Sequence, residues 1–363
     1  MRPEQRFHGI ENDFRSPFAR DRDRIIHSGS FRKLEYKTQV FLNQEGDFFR
    51  TRLTHSLEVS QIARSITAEL GLREPLAEAI ALAHDLGHTP FGHVGGDVLD
   101  ECLKKDGHLH GFEHNFQSFR VVTALEKRYR EFDGLNLTFA TLEGILKHSY
   151  PYKKAFLPEW VDGAFNLEHH PSIEAMVVDR ADEIAYMSHD IDDGVHSGLI
   201  SFAQLRENPL IDTVLKNVYA EGIVESDDEM FRYRFSSHFI NHLVYSMLEY
   251  SRPRIEALPR ARLESSVPLP IGFEPALETQ IKKLKKILYR DLYLHKQIVR
   301  HMYAGKQAIK GLYAALMEEP KMLPSYFRTQ LERRAQHRVI ADYIASMSDR
   351  FAMKLFNELY GKL

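Results

Sequence analysis

Apolar residues return at helical intervals along almost the whole chain, and that period decides the fold class. Leu53, Leu57, Ile62, Ile66 and Leu70 recur at four- and five-residue steps, which places them on one side of a helix. Gly71 is positioned to end it. Glu74-Pro75 opens the next helix, which runs through Leu76, Ile80 and Ala83. Further amphipathic stretches span 114–131, 140–148, 172–193, 237–257, 274–300 and 326–361. Strand signals are sparse. Only 36–49, with a turn near Asn43–Gly46, has the pattern of a short β-hairpin. The expected fold is all-α. The proline-rich stretch Leu258–Pro275 marks the joint between an N-terminal core, 1–257, and a C-terminal helical region, 258–363, packed on it.

Charge and cysteine limit the partners. Acids and bases nearly cancel, at a net −3, so no global field draws the chain to nucleic acid or acidic lipid. The one cysteine, Cys102, excludes an internal disulfide and a thiolate cluster for zinc. No apolar run approaches the ~20 residues of a membrane span. The N-terminus, MRPEQRFHGIENDFRSPF, lacks the apolar stretch of a signal peptide. A cytoplasmic protein without a membrane partner is expected.

Histidine is the outlier. There are 19, with His84, His88, His93, His108, His110 and His114 close together. Ala83-His84-Asp85-Leu86-Gly87-His88 ends an apolar helix, His55 lies near the start of the preceding one, and Asp179 and Asp182 lie on a later one. An imidazole and carboxylate set without sulfur suits one catalytic divalent ion such as Mn²⁺, Mg²⁺, Fe²⁺ or Ni²⁺. Such an ion activates water and neutralises charge developing on phosphorus. Hydrolysis of a phosphate ester is the expected chemistry.

The order His55…His84-Asp85…Asp182 resembles the signature of the HD phosphohydrolase superfamily. The flanking residues narrow it. Arg20–His27, Lys37–Val40, Arg52–Ser56, His84–His93, Ala181–Tyr186 and Asp342–Arg350 resemble the bacterial dGTPase-like deoxynucleotide triphosphohydrolases, from about Ser16 to Ala352. The resemblance implies an HD-type helical core with an added C-terminal helical part. It implies cleavage of a deoxynucleoside triphosphate at the α-phosphorus, giving deoxynucleoside and inorganic triphosphate. It also implies a homo-oligomer, hexamer or tetramer, and a nucleotide effector in some relatives. The metal ligands carry over to His55, His84, Asp85 and Asp182. Asp179 is the rival for the fourth position, but Asp182, Tyr186 and Asp190 reproduce the family's D-x3-Y-x3-D spacing. In similar enzymes Tyr186 and Asp190 would hold the sugar 3′-hydroxyl. Gln39 matches a position near sugar and base, and Arg52 and Lys147 match positions facing the triphosphate.

Expulsion of a 5′-alkoxide calls for a proton donor, and His88, His93 and His114 are the candidates, His88 also as a phosphate contact. One departure stands out. Relatives read H-A-G-E after the Pro-Phe-Gly turn, whereas this chain reads His93-Val94-Gly95-Gly96-Asp97. The acid is lost at Gly96: either Asp97, displaced by one residue, substitutes, or His93 works without an acidic partner, or turnover is slow. Two other readings follow: an HD phosphohydrolase on another nucleotide, or a weakly active regulatory protein that binds dNTP or single-stranded DNA. His238 and His242 read as a helix surface, and His169-His170 as a loop. Lys282-Lys283-Leu284-Lys285-Lys286 with Arg290 reads as the wet face of a helix, with an effector nucleotide or single-stranded DNA contact as the alternative.

Overall fold

The computed structural model describes residues 3–9, 14–39, 50–108, 110–149, 159–258 and 268–361. Its described residues are α-helical, with short 3-10 and π turns between helices. Extended pairing among them is confined to two isolated antiparallel bridges, Arg6 with Thr138 and Thr38 with Thr51. The second lies at the base of the expected 36–49 hairpin, most of which falls outside the described residues.

The N-terminal helices are α1 (Pro17–Ile26), α2 (Gly29–Lys33), α3 (Arg52–Glu69) and α4 (Glu74–Ala83). Thr51 starts α3 with a reciprocal capping box to Thr54, satisfying two donors that a helix start leaves open. Gly71 ends it, at φ +67°, while the Leu72 N–H returns to the Thr67 carbonyl at 2.8 Å. Helix α4 is apolar but for Glu74 and Glu78, and Leu76, Ala77 and Ala79 through Ala83 are all buried. A helix of that pattern belongs in the middle of a fold, and α4 does lie between two cores. Leu76 and Ile80 join the first, and Ala79 and Leu82 the other.

Next come α5 (Gly92–Lys105), α6 (His114–Arg120), α7 (Phe139–Leu146), α8 (Glu159–Phe165) and α9 (Ile173–His196). The helix expected over 114–131 is shorter. After Arg120 it loosens into a π turn, Val121–Leu125, and Glu126 turns away to accept from the Gly29 and Ser30 N–H groups. After α10 (Phe202–Leu205) and α11 (Pro209–Ala220), α12 (Asp228–Glu256) begins before the expected 237. The stretch 274–300 is two helices, α13 (Pro275–Leu288) and α14 (Lys296–Glu318), joined through a π turn at Tyr289–Tyr293. The stretch 326–361 is three: α15 (Ser325–Gln330), α16 (Gln336–Ala345) and α17 (Asp349–Tyr360). Amphipathic periodicity continues across these breaks because each piece still turns an apolar face to a core, even where, as with α13 and α14, the cores differ.

Helices α3, α4, α9, α11, α12 and α13 share one core. Helices α5, α14, α16 and α17 enclose a second, and α4, α6 and α7 build a third. The C-terminal helices thus pack on both sides of the α4–α5 segment. No described helix is long and apolar enough to cross a membrane.

Candidate metal centre and active site

His55 stands in the first turn of α3, His84 at the C-terminal end of α4, and Asp182 in the middle of α9. Their ligand atoms lie within 4.8 Å of one another. His55 Nε2 is 2.8 Å from Asp182 Oδ1, and His84 Nε2 is 3.8 Å from the same oxygen. His84 Nδ1 lies 2.6 Å from the Ala81 carbonyl. A carbonyl can only accept, so Nδ1 carries the proton and Nε2 the lone pair. That Nε2 is buried without a hydrogen-bond partner among the described residues. A buried, lone-pair nitrogen left unsatisfied beside an imidazole and a carboxylate fits a divalent cation.

The turn after α4 is held tightly. A Cβ at Gly87 would lie 2.1 Å from the Ser118 backbone nitrogen, so only glycine allows this approach to α6. The Ser118 hydroxyl accepts from Gly87 N–H at 2.9 Å and donates to the His84 carbonyl at 2.6 Å. Asp85 borders the centre, with Oδ1 3.4 Å from His84 Nε2 and 3.1 Å from His88 Nε2. Its other oxygen accepts from Arg52 at 2.8 Å. Arg52, expected on the triphosphate, therefore opens onto the cavity already paired with Asp85. Burial works against the Asp85 charge, but His84, Arg52 and His88 hold its carboxyl well below the usual range. Asp182 is also held well below it, against burial, by His148 and His55.

Of the two aspartates on α9, it is Asp182 that meets His55 and His84. Asp179 pairs instead with His148 Nδ1 at 2.5 Å and accepts from the Ser149 N–H at 3.3 Å. His148 reaches Asp182 through its other nitrogen, at 3.3 Å. Nothing in the sequence singled out His148.

A cavity of about 420 Å³ opens over this centre, lined by Gln39, Arg52, His55, Asp85, His88, His93, His114, His148, Arg180, Asp182, Tyr186 and Lys285 among others. The three proton-transfer candidates meet on one wall. The ring centroids of His88 and His114 are 4.3 Å apart, those of His88 and His93 5.2 Å, and those of His93 and His114 5.7 Å. Burial depresses all three, His114 to about 3 and His88 well below the ordinary value. The loop that delivers His93 is strained: Phe91 and Gly92 both have φ near +60°, costly for phenylalanine. The Asp349 carboxylate at the start of α17 holds it there, accepting from Phe91 N–H at 3.1 Å and Thr38 N–H at 3.0 Å. Asp97 does not line this cavity. It faces the neighbouring one, together with His93. Among the described residues two carboxylates touch the trio: Asp85 Oδ1 at His88 Nε2, 3.1 Å, and Glu113 Oε1 at His114 Nδ1, 3.2 Å.

Lys147 departs from expectation. It is fully buried, and its ammonium donates to Glu143 at 2.9 Å and to the Asn166 and His169 carbonyls at 3.0 and 2.9 Å. Three acceptors saturate it away from the cavity. The cationic side of the cavity comes from Arg180 and Lys285 instead, both paired with Glu183. Lys285 belongs to the lysine run read as a wet helix face. The apolar pattern of α13 places it outside the core, but only the fold turns it toward α9.

Tyr186 and Asp190 lie on the Asp182 face of α9, and a third group joins them. Tyr293, in the π turn before α14, places its hydroxyl against both the Tyr186 hydroxyl and Asp190 Oδ2. The two tyrosine rings are stacked at 9°. Burial lifts the Asp190 carboxyl to about 7. Beyond this trio lies a second cavity of about 610 Å³, walled by Phe91, Tyr289, Tyr293, Ile298, Met302 and Tyr303, and sharing Gln39, His93 and Tyr186 with the first. The buried Gln39 Oε1 has no hydrogen-bond partner among the described residues.

Residues 52–187 match the HD domain family, and residues 271–358 match the phosphohydrolase-associated domain. A deoxyguanosinetriphosphate triphosphohydrolase-like protein of Wolinella succinogenes is 58% identical, covering 99% of this chain and 100% of its own length. Proteins of the same description from Nitrosomonas europaea and Geobacter metallireducens are 46% and 44% identical, over 95% and 96% of this chain and 91% and 89% of their own lengths.

Proposed function

Because the chain belongs to the HD-domain family of deoxyguanosinetriphosphate triphosphohydrolase-like proteins, we propose that it hydrolyses deoxynucleoside triphosphates to deoxynucleoside and inorganic triphosphate. The observation that carries this reading is the convergence of His55, His84 and Asp182, with an unsatisfied His84 Nε2, directly beneath a cavity lined by histidine and cationic side chains. A divalent ion held by these residues, with Asp85 beside them, would supply Lewis acidity at the phosphoryl group and a lowered pKa for the attacking water.

The protein's own residues divide the remaining work. Arg52, Arg180 and Lys285 offset the triphosphate charge on one side. Tyr186 holds the sugar at the partition between the cavities, near Gln39, and Asp190, buried behind Tyr186, fixes it through Tyr293. The aromatic cavity beyond takes the base against Tyr289 and Tyr303. Water adds to the α-phosphorus as the bond to O5′ breaks, and the alkoxide leaves with a proton from the His88, His93 and His114 wall. Burial keeps these imidazoles neutral on their own, but an incoming polyanion favours their charged form. The resident triphosphate therefore arms its own acid. The metal's identity, a hexameric or tetrameric assembly and the division at 257/258 stand as parts of this reading.

The test is the product. Protein reconstituted with Mn²⁺ and given each dNTP should release triphosphate and deoxynucleoside in equal amounts. Release of pyrophosphate or of single phosphates would sink the assignment.

A further inference from the structure

His84 and His55 solve one problem in two ways. An imidazole that is to bind a cation through Nε2 must keep its proton on Nδ1, which needs an acceptor there. His84 finds one in a backbone carbonyl of its own helix, Ala81, at 2.6 Å. His55 faces across to α9, and its Nδ1 meets another imidazole, His189 Nδ1, at 3.3 Å. Both rings are buried and meet edge to face at 81°. Two facing nitrogens can share only one proton. With the His55 lone pair at Nε2, His55 donates and His189 accepts, so the His189 proton sits on Nε2. The carboxylate of Glu58 lies against that nitrogen. Glu58 is three residues beyond His55 on α3, and His189 seven beyond Asp182 on α9. Arg50 steadies the outer end, 3.6 Å from Glu58 and 2.6 Å from Asp193.

We propose that Glu58 and His189 form a positioning relay that fixes the tautomer and orientation of His55 and so sets the affinity of this centre for a divalent cation. The inference rests on the metal reading above. Neither residue lines the cavity, so neither contacts substrate. They act through His55 alone, and they lock together α3 and α9, two of the three helices that carry the ligand set.

Mn²⁺ binding by titration calorimetry, without substrate, tests this. Outer partners of metal-bound histidines typically change affinity by about 10–100-fold, and His189→Phe should weaken Mn²⁺ within that range. His189→Gln, which keeps an acceptor for the His55 proton, should lose clearly less than His189→Phe. Glu58→Gln, at the half-exposed end of the relay, should weaken binding several-fold while leaving the thermal melt unchanged. It decides the matter if the phenylalanine variant fails to fold. If His189 served only as packing, phenylalanine would be the milder change, and that order overturns the relay. Unaltered Mn²⁺ affinity in Glu58→Gln overturns it as well. No Mn²⁺ uptake by the unmutated protein would instead remove the metal reading, and the relay with it.

Discussion

The two cavities that meet at Tyr186 are built from opposite materials. One is walled by imidazoles, carboxylates and guanidinium groups fixed by hydrogen bonds on helices α3, α6 and α9 and in the turn after α4. The other is walled by tyrosine, methionine and aliphatic side chains on α5, α14 and the turn before it. The difference teaches a division of labour. Directional, charged groups in a site with little water act where charge develops. Aromatic walls give area and stacking without demanding one pattern of donors. A molecule lying across the partition would react at one end and be gripped at the other. Substitutions on the two sides should therefore fail in different ways.

The largest effect is expected on the charged side. His84→Ala or Asp182→Ala should abolish Mn²⁺ uptake and lower kcat by at least about 10³-fold, the loss of several kcal/mol of charge stabilisation at phosphorus. Metal titration and triphosphate release check both halves. Retained turnover in the metal-free variant would break the comparison at its strongest point.

The partition comes next. Asp190→Asn replaces a carboxylate acceptor, and a hydrogen bond to a charged group contributes about 1.5–3 kcal/mol. Turnover of dNTPs should fall by about 10–100-fold. Stability should move the other way. Burial holds the Asp190 carboxyl up to about 7, against 3.8 unperturbed. Between those values the folded chain keeps a proton that the unfolded chain releases, so this group's contribution falls as pH rises through the window. The asparagine variant should melt higher than the parent at pH 8 and show a flatter dependence of Tm on pH from 4 to 7. A lower Tm at pH 8 would show that the carboxylate is a net structural support.

How far these residues could be read from the sequence follows the same line as the two cavities. His55, His84, Asp85 and Asp182 were legible as candidates because imidazole and carboxylate groups recur in the fixed order of the family signature, and the fold brings His55, His84 and Asp182 within 4.8 Å of one another. Tyr186 and Asp190 were legible because a four-residue step keeps them on the Asp182 face. Tyr293 was not. It lies where the apolar period of 274–300 suggests one unbroken helix, and a π turn has no periodicity of its own to show that it redirects a side chain. Tyr289, Met302 and Tyr303 look like any amphipathic stripe. His148 was hidden beside Lys147, whose charge drew attention although three acceptors bury it. The all-α fold was legible from the helical period. The breaks at 121–125, 289–293 and 331–335 were not, because both sides of each break stay amphipathic.

On the aromatic side, Tyr303→Ala should raise KM for dNTPs roughly tenfold with little change in kcat, since stacking one base is worth about 1–3 kcal/mol. Tyr303 is 64% exposed, so the fold should tolerate the change. The sharper measurement compares dNTPs with 2-deoxyribose 5-triphosphate, which has no base. The unmutated protein should favour the dNTP, and the alanine variant should lose that preference while treating the baseless compound as before. An unchanged ratio would move the base out of this cavity.

The smallest effect is expected at Gly96, where the family resemblance would place a glutamate, one helical turn from His93, which both cavities share. Gly96 lies on α5 in the turn after His93, and a Cβ added there would meet only the Phe112 ring at 3.7 Å and the Thr89 hydroxyl at 3.8 Å. Those are ordinary contacts, so a side chain fits without moving the backbone. The next glycine is different: a Cβ at Gly95 would come within 2.1 Å of the Pro90 carbonyl, so substitution there should unfold the loop. Gly96→Glu would add a carboxylate on the His93 helix, favouring a protonated imidazole that burial now disfavours. Activity should rise a few-fold, with the pH profile of kcat displaced upward on its basic limb as His93 holds its proton longer. Glu113, 3.2 Å from His114, already gives the histidine wall one acid, which is why the gain should be small. A large gain would mean that the wall lacks an effective acid in this chain. Loss of activity would mean that proton delivery runs through His114 and that a carboxylate at position 96 competes with it.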